Sequence, residues 1–139
     1  MTTADLQDYA NYFSFLRDEK HMSLVTFRAN GNAVPTPIWF AELDSALYVR
    51  TASHFKKLER IANNPRVEVA PCTATGEVTG ESVPAWARIL DPNDPVVPGA
   101  DAALEARYTL ERPAMTRLLQ ESGWSGVYVE IRPPIRRDR

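Results

Sequence analysis

The sequence predicts a small, mainly β protein: a closed or nearly closed antiparallel barrel of six strands with peripheral α-helices. Two observations carry this expectation. Six short segments rich in β-branched and aromatic residues are separated by turn signals. The strands do not alternate with crossover helices and no G-x-G-x-x-G is present, which argues against a parallel Rossmann sheet. A two-sheet sandwich is the alternative arrangement of the same strands.

The elements follow in chain order. Leu6, Tyr9, Phe13 and Leu16 recur at helical spacing behind a Thr3 N-cap, so residues 1–19 form an N-terminal helical segment ending near Arg17. "MSLVTFRA" then reads as a strand. "NGN" at 30–32 is a hairpin signal, and "AVPTPIWFAEL" is the returning strand. "LDSA" turns the chain into "LYVRT". A short helix occupies "FKKLERIA" and stops at "ANNPR", because the residue before proline disfavours helix. "VEVAPC" is the fourth strand, "TATGEVTG" a turn-rich connection and "SVPAWARIL" the fifth strand. "DPNDPVVPGAD" is expected to be a proline-rich loop. "AALEARYTL" and "PAMTRLLQES" are expected to be helical, with Arg112-Pro113 at or near the second start. "WSGVYVEIRP" closes the barrel region at 20–132, and 133–139 is a basic solvated tail. The whole of 1–139 reads as one domain, without internal repeats or low-complexity segments.

The chain has 139 residues, 44% hydrophobic and 24% charged, which suits one soluble domain with a real core. Its formal charge of −2 gives no bulk attraction to nucleic acid or to an anionic membrane. A basic site must therefore be local. The single cysteine, Cys72, excludes an intrachain disulfide and suits a reducing cytoplasm. No signal-peptide pattern and no apolar run of membrane-spanning length is present.

The most charged local feature is "LYVRTASHFKKLERIANNP". On a helical wheel, Phe55, Leu58, Ile61 and Ala62 fall on one side, and Lys56, Lys57 and Arg60 on the other. The apolar side is expected to dock on the barrel and the basic side to face outward. Helix N-termini carry free N–H groups and partial positive charge. With Arg50, Thr51 and Ser53 just before the helix, the stretch can form a phosphate site. A solvated amphipathic helix would show the same charge pattern.

The second constellation is "PTPIWF" at 35–40. Pro35, Pro37 and Trp39 share one strand face; Thr36, Ile38 and Phe40 share the other. Prolines in a strand mark an edge or an interruption of pairing. Backbone groups freed there, beside an aromatic, could meet the polar rim of a planar heterocycle. A tryptophan packed in the core on an edge strand is the simpler alternative.

"VPTPIWF", "LYVRT", "KKLERIANNPRVEVAPC" and "ARIL", in that order and spacing, resemble the flavin- and deazaflavin-dependent split-barrel family. This is the pyridoxamine 5′-phosphate oxidase-like superfamily, in its F420-dependent oxidoreductase branch. The resemblance implies a six-stranded FMN-binding split barrel and a homodimer with cofactor sites at the subunit interface. By position it implies that the backbone of Thr36, Pro37, Ile38 and Trp39 lines the ring system. Arg50 and Thr51 would lie at the ribityl–phosphate end. Lys57, with Lys56 or Arg60, would hold the phosphate. Lys56 and Arg60 could also face the anionic tail that distinguishes F420 from FMN. His54-Phe55-Lys56 departs from the family's small residues before the lysine.

The implied activity is an F420-dependent oxidoreductase acting on a small organic acceptor in the cytoplasm. An FMN-dependent enzyme of the same fold, or a non-catalytic cofactor-binding protein, is the alternative. No catalytic acid or base stands out. His21, His54 and Cys72 form no metal motif. Trp86 and Trp124 read as core or interface residues.

Overall fold

The computed structural model describes residues 8–53, 55–109, 113, 117 and 126–134. Seven strands form one sheet: β1 (His21–Phe27), β2 (Ala33–Ile38), β3 (Ala41–Leu43), β4 (Ala46–Ala52), β5 (Arg66–Cys72), β6 (Val83–Ile89) and β7 (Gly126–Arg132). Their order is β2-β1-β5-β6-β7-β4-β3, and every neighbouring pair is antiparallel.

The connection between the two edges explains the shape. β2 and β3 are the outermost strands, yet only Trp39 and Phe40 separate them in sequence. Three residue steps reach at most about 11 Å. Seven flat strands would spread over roughly 29 Å. The sheet must therefore roll until its edges approach, which gives a split barrel rather than a sandwich. The expected second strand is thus two strands with a corner, and the described residues hold seven strands instead of six.

The corner is held by a side chain from elsewhere. The Phe40 N–H donates to the Tyr108 hydroxyl at 3.0 Å, and that hydroxyl lies 3.1 Å from the Phe40 carbonyl and 2.9 Å from the Lys20 carbonyl. Tyr108 is fully buried and stacks on Trp39 at 4.6 Å. Local turns follow the sequence. Arg28 and Asn32 close the first hairpin with Gly31 at φ 90°. Asp44 and Ser45 both take positive φ, as a tight two-residue hairpin turn requires.

Inside the barrel, Met22, Leu24, Leu47, Val49, Val67, Val69, Val129 and Ile131 form the core with Phe13 and Phe40. Helix α1 (Lys56–Asn63) packs on β1 and β6 and sends Leu58 and Ile61 into that core. Helix α2 (Val97–Arg107) lies on β3 and β4. It begins earlier than expected, inside the proline-rich stretch, because Pro98 sits in its first turn, where a missing N–H costs nothing. Among the described residues of the N-terminal segment, 8–10 are α-helical, and a turn and a 3-10 helix (Ser14–Leu16) follow where the helix was expected to continue to Arg17. The guanidinium of Arg107 donates to the carbonyls of Arg17 and Glu19 and pins this segment. Thr3, His54, Trp124, most of the predicted helix at 113–122 and the end of the basic tail lie outside the described residues.

Candidate functional site

The inward positions of β1 read Met22, Leu24, Thr26, and all three are buried. The polar one ends the series. The inward positions of β4 read Leu47, Val49, Thr51, with the same interruption at the end of the strand. Helix α1 brings two cations to these two hydroxyls. Lys57 Nζ donates to Thr51 Oγ1 at 3.3 Å, and Arg60 Nε donates to Thr26 Oγ1 at 2.6 Å. Thr26 is 1% exposed, Thr51 5% and Lys57 8%; Arg60 is half-buried. The result is a polar, cationic corner in an otherwise apolar barrel.

Its electrostatics are unusual for structural cations. Among the described residues, neither Lys57 nor Arg60 has a carboxylate partner within ion-pair distance. Burial, and then the nearby Arg60 charge, hold the Lys57 ammonium below the ordinary lysine value. The Lys57 Nζ also lies 4.3 Å from the centre of the Phe55 ring, a cation–π contact. Two neighbouring cations are thus held by neutral hydroxyls, with no neutralising carboxylate among the described residues. Such a donor set could hold an anion, and a phosphate group fits it.

Lys57 does not face outward as the helical wheel predicts. Lys57 and Ile61 are four residues apart, so they share the stripe that enters the barrel. Of the three cations only Lys56 stands exposed, and Phe55 and Ala62, both assigned to the docked side, are exposed too. The bulk at Phe55 has a clear consequence: its ring supports the Lys57 ammonium.

Arg50 is not brought to the same corner. Successive residues of a strand face opposite ways. Thr51 points inward, whereas Arg50 lies on the outer face beside Tyr128, its cross-strand partner. The Arg50 guanidinium runs across Gly126, where a Cβ would collide with it, and its buried Nε has no hydrogen-bond partner among the described residues. Thr26, by contrast, is a site residue that sequence reasoning missed. Its signal was present: a hydroxyl at an inward position of an apolar alternation.

β2 is an edge strand, as its prolines require. Its ladder with β1 is continuous from Ala33 to Ile38. Proline tolerates this only where its missing N–H would point away from the neighbour. Thr36 and Ile38 therefore turn their backbone groups toward β1, and the open edge presents the carbonyls of Pro35 and Pro37. The freedom expected for Thr36 and Ile38 backbone groups is not there. Thr36 is half-buried, Pro37 exposed and Ile38 in the core. Trp39 lies past the strand end, donating from Nε1 to His21 Nε2 at 3.2 Å. Ile38 pairs with Met22 and Val34 with Thr26. Trp39 and the cationic corner thus sit at opposite ends of β1, roughly 14 Å or more apart along the strand.

A second polar cluster occupies the outer face. Glu130 is 2% exposed and accepts from Tyr48 Oη at 2.8 Å, Arg132 Nε at 2.7 Å and Arg88 Nη2 at 3.1 Å. Burial pushes its carboxyl up, but hydrogen bonds from Arg132, Tyr48 and Arg88 outweigh that and hold it below the usual carboxylate range. Trp86, 48% exposed, lines the open groove beside it, so it is not a core residue. Cys72 is buried opposite His21 on β1, and burial raises its thiol. No metal-binding group of His, Cys, Asp and Glu is present among the described residues, and none of their helices is long and apolar enough to cross a membrane.

Residues 10–119 match the family described as pyridoxamine 5′-phosphate oxidase. The chain belongs to this family. The pyridoxamine 5′-phosphate oxidase fold also unites it with solved structures of low identity. The heme storage protein HutZ from Vibrio cholerae is 12% identical, with a TM-score of 0.65 over 94% of this chain and 89% of that one. A FAD-binding protein from Mesorhizobium loti is 17% identical, with a TM-score of 0.64 over 89% and 86%. A structure described as an F420 reductase is 22% identical, with a TM-score of 0.56 over 86% and 90%. No curated protein sequence matches the chain. The shared architecture is the split barrel of the pyridoxamine 5′-phosphate oxidase fold.

Proposed function

We propose that this pyridoxamine 5′-phosphate oxidase family member is an oxidoreductase that binds coenzyme F420, with FMN as the alternative cofactor. The observation that carries the reading is the corner formed by Lys57, Arg60, Thr26 and Thr51. It holds two cations without a neutralising carboxylate among the described residues and accounts for a cofactor phosphate. The 22% identical F420 reductase supports the choice of deazaflavin. Exposed Lys56, next to the corner, adds charge for an anionic tail.

The bound cofactor supplies the hydride chemistry, delivered to a small electrophilic acceptor. The chain's part is to bind, to orient and to exclude water. Half-buried Thr36 and the carbonyls of Pro35 and Pro37 on the open edge of β2 would be the groups offered to the cofactor's ring system. Arg50, on the outer face, belongs to this reading only in a homodimer, where a second subunit meets that face. The compartment in this reading is the cytoplasm.

The test is a titration of the purified protein with F420 and with FMN, followed by absorbance. Turnover of the reduced cofactor against a panel of electrophilic acceptors comes next. Tighter F420 binding with acceptor-dependent oxidation supports the proposal. Tighter FMN binding moves the assignment to a flavin enzyme, and binding without turnover moves it to a cofactor carrier.

A further inference from the structure

We infer that Thr26 is a positioning residue that aims Arg60 at the phosphate without neutralising it. The inference rests on the phosphate-site reading above and goes one step further into that site. Thr26 interrupts an inward series of Met22 and Leu24, and at 1% exposure its position needs only the shape of a valine. What the hydroxyl adds is one interaction, the 2.6 Å bond from Arg60 Nε. A carboxylate there would hold the guanidinium equally well but would cancel its charge. A hydroxyl holds it and leaves the charge intact.

The geometry of the bond matters as much as its presence. With Nε committed to Thr26, the guanidinium plane is fixed and its terminal edge, Nη1 and Nη2, is left for a ligand. Lys57 is bound in the same manner by Thr51, from a different strand. Lys57 and Arg60 are three residues apart on one face of α1, and burial first, then the Arg60 charge, hold the Lys57 ammonium below its ordinary value. One hydroxyl from β1 and one from β4 thus each hold one of two neighbouring like charges of α1. Thr26 sits on β1, against which α1 packs, and its hydroxyl is bonded to Arg60, through which it acts on the ligand.

The experiment compares Thr26→Val, Thr26→Ser and Arg60→Ala with the parent protein. Each is titrated with FMN against riboflavin and, in parallel, with F420 against its phosphate-free deazaflavin. The readout is the preference for the phosphorylated member of each pair. Thr26→Val is expected to reduce that preference about tenfold, the scale of one misaimed charge-assisted hydrogen bond. Thr26→Ser should restore most of it, and the melting temperature of the valine variant should not fall. If Thr26→Val keeps the full preference while Arg60→Ala loses it, the positioning role is overturned and the phosphate site stands. Equal loss in the valine and serine variants also overturns it, since packing rather than the hydroxyl would then be responsible. A parent protein without any phosphate preference overturns the underlying site itself.

Discussion

The Lys57 ammonium sits 3.3 Å from the Thr51 hydroxyl, inside a barrel end, with Arg60 as its charged neighbour. Folding has placed a cation where water is scarce and has given it a neutral acceptor. That is a cost to stability, and it makes sense as a binding device. Lys57→Met keeps the stem and removes the charge. It should weaken cofactor binding by about 1.5–3 kcal/mol, the range for a hydrogen bond to a charged group. The melting temperature should stay level or rise, because a desolvated charge is gone. Calorimetric titration and a thermal melt together check both halves.

The same lysine makes binding depend on pH. Its folded-state value lies below the ordinary 10.5. Between the two values the unfolded chain binds more protons than the folded one, so the cost of the buried charge is relieved as pH rises through that window. A bound phosphate favours the charged form and raises the value again. Affinity should therefore fall as pH climbs through the lowered value of the free site. Binding inside the window should take up protons. Titrations in buffers of different ionisation enthalpy measure this uptake, and Lys57→Met should abolish it.

Glu130 gives the opposite sign. Its carboxyl is held below the usual range in the folded chain, so its contribution is fully present above 4.5 and is lost as pH falls through the folded value. Glu130→Gln should cost about 1–3 kcal/mol at neutral pH, since Arg88, Arg132 and Tyr48 lose a charged acceptor. The variant should also lose part of the acid-dependent fall in stability. Urea denaturation at a series of pH values tests both.

Tyr108→Phe should open the barrel corner. Its hydroxyl accepts from the buried Phe40 N–H and faces the Phe40 and Lys20 carbonyls. Removing it leaves a buried donor unpaired, at about 1–3 kcal/mol. Amide exchange at Phe40 should accelerate well beyond exchange in β5, which has neighbours on both sides.

Much of this was legible in the sequence, for physical reasons that differ by element. The hairpin at Asn30-Gly31 and the tight turn at Asp44-Ser45 are local chemistry, and local chemistry is readable. The edge position of β2 follows from Pro35 and Pro37, since each lacks a donor. The break at Trp39-Phe40 was not readable, because it depends on Tyr108, 68 residues away, reaching back to Phe40. The burial of Lys57 was misjudged for a related reason. A wheel sorts residues by polarity, whereas the strand ends decide which helix face enters the barrel, and Thr51 and Thr26 made room for cations. Arg50 and Thr51 looked like one group in the sequence, but the strand alternation sends them to opposite faces.

The central claim is that the corner of Lys57, Arg60, Thr26 and Thr51 holds the phosphate of a deazaflavin cofactor. A crystal structure of the protein with F420 bound tests it most directly. The account predicts phosphate oxygens within hydrogen-bond distance of Lys57 Nζ and the Arg60 terminal nitrogens, with the deazaflavin ring extending along β2 toward Trp39. A cofactor whose phosphate lies away from α1, with Lys57 and Arg60 still bonded only to their threonines, would contradict it.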